Sequence, residues 1–115
     1  MNTKFTPGPW VSDVRVGCCA VYPKSSRDEW EQGLHNDERN VFYASYKNMA
    51  LDPSYSRQAE EAIANARLIA CAPDMHEMLE QSKAMLENFH RNTGSLGAKA
   101  KAEEIESLLK RARGE

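Results

Sequence analysis

The chain has 115 residues and a mass of 13.0 kDa, enough for one modest core, and we read residues 1–115 as a single domain. Fifteen Lys and Arg against seventeen Asp and Glu leave a net charge of −2, which excludes the broad basic surface that nucleic-acid binding draws on. With 41% apolar and 28% charged residues the composition is globular, no apolar run approaches the roughly 18 residues of a membrane span, and the opening MNTKFTPGPW lacks the apolar stretch of a signal peptide.

The composition changes near residue 52. Both Trp and three of the four Tyr lie in residues 1–52, whereas residues 53–115 are dominated by the better helix formers Ala, Glu, Leu, Lys, Arg and Met. Pro7-Gly8-Pro9 is a rigid, non-helical lead-in. From Trp10 to Val16 apolar and polar residues alternate, which predicts a half-buried strand. Gly17 then marks a bulge or tight bend, and Cys18 to Tyr22 predicts a second, more apolar strand ending at Pro23. Val41 to Tyr46 predicts a third. Between them, residues 24–40 form a long acidic loop whose carboxylates lack the alternation and glycine of an EF-hand.

Three helices follow. The first opens at Asp52-Pro53 or Ser56 and carries the stripe Ala59, Ala62, Ile63, Ala66, Ile69 and Ala70, whose small residues let another backbone approach closely. Pro73 cannot continue that helix but suits the first turn of the next. The second helix repeats Met75, Met78, Leu79, Ser82, Met85, Leu86 and Phe89 at three- and four-residue spacing, an adaptable apolar stripe that we expect to be mainly core. Asn92 to Ser95 is a turn. The third helix, about Ala98 to Ala112, presents Ala98, Ala102, Ile105, Leu108, Leu109 and Ala112 on one side and offers a Glu106–Lys110 pair. The expected fold class is therefore α+β: a small antiparallel sheet of about three strands within residues 10–46, packed against two to three C-terminal helices.

Three cysteines, Cys18, Cys19 and Cys71, make an odd set without a secretion signal, which points to a reducing compartment such as the cytoplasm. Cys71 and His76 straddle Pro73, and His35 and His90 are remote, so no tetrahedral metal site is expected and no cofactor.

Two segments carry a resemblance. Thr6-Pro7-Gly8-Pro9-Trp10, followed by Asn65-Ala66-Arg67-Leu68-Ile69-Ala70-Cys71-Ala72-Pro73-Asp74, is similar to small phage and prophage proteins with a TPGPW-type opening and an NARLIAAAPEL-type helix-turn-helix segment. The resemblance covers about the first ninety residues and implies a phage origin, with strands between the two motifs. The Cys18-Cys19 pair, the 24–40 loop and Met75-His76 depart from that pattern.

Catalytic signatures are missing: there is no phosphate-binding GxxxxGK[ST] or GxGxxG, no GxSxG elbow and no HExxH. After His76-Glu77-Met78 the position of a second ligand is taken by Glu80, and nothing near Cys71 would lower a thiol pKa for a Cys–His pair. We therefore expect no enzyme. Aromatic and arginine side chains suit stacking and phosphate pairing, and the candidate ligand-binding set is Trp10, Trp30, Tyr43, Tyr46, Asn65 and Arg67. The expected function is that of a phage accessory protein acting by binding, blocking or sequestering a host defence or regulatory component, either a host protein or a signalling nucleotide. The competing reading is a structural or assembly module without a small ligand. A homo-oligomer, by default a dimer, is expected in either case.

Overall fold

The computed structural model describes residues 5–15, 17–25, 40–46 and 55–115. The described residues form the strands β1 (Trp10–Arg15), β2 (Cys18–Pro23) and β3 (Phe42–Ser45), then the helices α1 (Tyr55–Ala70), α2 (Ala72–Thr93) and α3 (Leu96–Ala112). The fold is α+β, a three-stranded antiparallel sheet plus three C-terminal helices.

The strands are ordered β1-β2-β3, with Trp10 opposite Pro23, Arg15 opposite Cys18, and Cys18 opposite Ser45. Of the two local geometries open to Gly17, the tight bend is the one found: with φ at +89°, Gly17 turns β1 directly into β2. Alternation along β2 then divides the sheet. Cys19 and Val21 face α1, and Ala20 and Tyr22 lie on the opposite face with Val11, Cys18 and Tyr43.

α1 lies against all three strands. The whole predicted stripe, Ala59 through Ala70, packs around Cys19, Val21, Tyr46 and Ala66, the last of which is fully buried. Small side chains on α1 bring its backbone near enough for the Cys19 thiol to lie 3.7 Å from the Ala62 carbonyl. The expected helix start at Asp52-Pro53 falls outside the described residues, as does the 24–40 loop apart from its ends.

The chain divides into two compact units, one comprising Thr6–Pro73 and the other Asp74–Glu115 together with the N-terminal Phe5. The division falls at Pro73, not at the composition break near residue 52, because the Ala-rich α1 belongs with the sheet it covers. In the second unit α2 and α3 make a hairpin. Gly94, at φ +72°, donates its N–H to the His90 carbonyl at 2.7 Å and ends α2. Ser95 caps α3, its hydroxyl accepting from the Ala98 N–H at 3.2 Å. α3 buries Ala98, Ala102, Ile105 and Leu109, whereas Leu108 and Ala112 of the predicted stripe are exposed.

The expectation for α2 requires correction. The helix forms as predicted, but none of its residues is fully buried. Leu79, Ser82 and Leu86 are half-buried, while Met75, Met78, Met85 and Phe89 are 47%, 60%, 73% and 53% exposed. The apolar stripe is wider than the face the hairpin can cover, so its Met–Phe half stands outside.

Candidate functional site

The predicted ligand residues occupy different places. The Trp10 indole N–H donates to the Thr6 carbonyl at 3.1 Å, and its ring packs on the α1 side of the sheet. Tyr46 is 5% exposed; its hydroxyl donates between the Arg15 carbonyl at 2.8 Å and the Cys18 carbonyl at 3.0 Å, tying β3 to the β1–β2 turn. Tyr43 lies on the opposite face, where burial raises its phenol pKa and the Cys18 thiol adds to the effect. Asn65 and Arg67 are exposed on α1. Trp30 lies outside the described residues. The five described residues are thus spread over two sheet faces and a helix exterior, and they do not converge on one cavity.

A polar cluster that the sequence reading did not single out joins β1 to β2. Tyr22, 1% exposed, donates its hydroxyl to Asp13 at 2.7 Å, and Arg15 donates to the same carboxylate at 3.2 and 3.3 Å. Hydrogen bonding to Asp13 holds the Arg15 pKa above its ordinary value. The carboxylate is thus shared by two neighbours, and the cluster ties β1 to β2. Only the opposition of Asp13 and Ala20 across the ladder would have revealed it.

The helical hairpin carries more charge. The Lys83 ammonium lies 2.9 Å from Glu106 and 3.3 Å from Glu87, and Arg113 approaches Glu106 at 3.6 Å and Glu115 at 2.9 Å. Glu106 therefore pairs across the hairpin with Lys83 and, at the end of its own helix, with Arg113, while Lys110, the partner expected from the sequence, adds a longer-range attraction. Hydrogen bonding to Glu106 raises the Lys83 pKa, and the same contact lowers that of Glu106. Around these residues is an open groove of about 810 Å³, with His90, Arg91 and Lys99 at its turn end and Glu103 opposite. Both signs of charge are interleaved along it, which selects neither an anion nor a cation.

His76 sits where the hairpin meets Phe5. Its Nδ1 lies 3.0 Å from Glu80, its ring stands edge-on to Phe5 at 5.2 Å, and Nε2 is buried without a hydrogen-bond partner among the described residues. Among the described residues no three His, Cys, Asp or Glu side chains are grouped to hold a metal ion.

What remains exposed and distinctive is the outer edge of α2. Met75 and Met78, and one turn beyond the half-buried Ser82, Met85 and Phe89, form an exposed apolar ridge along one side of the helix. Monomeric proteins leave few large contiguous apolar patches uncovered. Unbranched thioethers on such a ridge adapt to a partner's shape.

These features define a small α+β protein with an exposed apolar edge on α2, in which the five described ligand candidates do not converge on one site. A family model described as Salmonella phage P22 protein Y8K6 matches residues 1–115, and the chain belongs to that family. No curated protein and no solved structure matched the chain. Among the described residues no helix is long and apolar enough to cross a membrane.

Proposed function

We propose that this phage protein acts by protein–protein association and not by turnover, with the ridge of α2 as its contact surface. The observation that carries the reading is the exposure of Met75, Met78, Met85 and Phe89 along one side of a single helix. Burying such side chains against a partner releases about 1.5–3 kcal/mol each, a driving force that a folded monomer would otherwise forgo. In the cytoplasm of an infected cell this association serves a phage best by blocking or sequestering a host defence or regulatory component. A signalling nucleotide is the weaker ligand, because among the described residues the aromatic and arginine side chains suited to it do not converge.

The second reading, an assembly module, is favoured by the regular spacing of the ridge. The test compares the wild-type chain with Met85→Asp, its fold checked by circular dichroism, for retention of protein partners and for the host phenotype on expression. Loss of both in the variant is expected. Equal behaviour of the two chains, or a rise in melting temperature with a nucleotide, would overturn the reading.

A further inference from the structure

We draw no further inference here: the strongest candidate, the exposed apolar edge of α2 at Met75, Met78, Met85 and Phe89, is an unpartnered helix face, and nothing in the structure shows what covers it.

Discussion

Gly8 lies against Pro73 so closely that a Cβ built on Gly8 would stand 2.6 Å from the Pro73 Cβ and 3.0 Å from its Cγ. The lead-in to β1 and the corner between α1 and α2 are therefore packed together, although they are far apart in the chain. The close approach needs a residue without a side chain at position 8, and it needs the compact ring that also breaks the helix at position 73. A common structural cause thus links the Thr6–Trp10 and Asn65–Pro73 segments.

Gly8→Ala should destabilise the chain by about 1–3 kcal/mol, since the proline ring cannot swing aside as a flexible side chain would. Pro73→Gly, which removes both the Cβ and the Cγ that the new methyl would meet, should recover part of that loss in the double variant. Urea denaturation of the four chains of the cycle measures the coupling, and strict additivity would show that the two residues do not press on one another.

Tyr46→Phe should cost about 1 kcal/mol, because the lost hydroxyl leaves the Arg15 and Cys18 carbonyls short of a donor near the β1–β2 turn. The ring keeps its place among Cys19, Val21 and Ala66. A fall in melting temperature with unchanged circular dichroism is the expected outcome, and an unchanged melting temperature would assign the hydroxyl no structural role.

The strands were legible because alternation and one glycine define them: Trp10–Arg15 and Cys18–Pro23 lie within a residue of the segments read from the sequence. The α1 stripe was equally plain, because Ala and Ile at three- and four-residue spacing leave a single face to bury. On α2 the apolar residues span two faces, and periodicity does not rank them. The structure does, covering Leu79 and Leu86 and exposing the methionines. The placement of the aromatic candidates was not legible for another reason. Tyr46 and Trp10 suit ligand stacking as residue types, but their polar atoms are engaged by backbone carbonyls, and in Tyr46 by one 31 residues away. Non-local pairing of this kind leaves no local pattern.

Cys19 and Cys71 should differ sharply toward alkylating reagents. Cys19 is fully buried, and that burial pushes its thiol pKa up, whereas Cys71 is exposed. Cys71 should be modified readily in the native chain and Cys19 only on unfolding, as read by mass spectrometry of labelled peptides. A raised native pKa also has a sign for stability. Its contribution is complete below the ordinary thiol pKa and is lost as pH rises through the native value. Cys19→Ala should therefore flatten the alkaline limb of the stability profile.

Glu106→Gln should act at the opposite end of the pH range and depend on salt. Lys83 holds the Glu106 pKa below its ordinary value, so this carboxylate's contribution is present above the usual carboxylate pKa and disappears as pH falls through the lowered one. Both side chains are partly exposed, at 29% and 31%, which keeps the effect smaller than that of Gly8→Ala and lets ions screen it. Melting curves at neutral pH in low salt should place the variant below the wild type. The gap should shrink in molar salt and again in acid below the usual carboxylate range, where the wild-type carboxylate is itself being protonated. A gap that persists under both conditions would trace the destabilisation to packing around α3 and not to the ion pair.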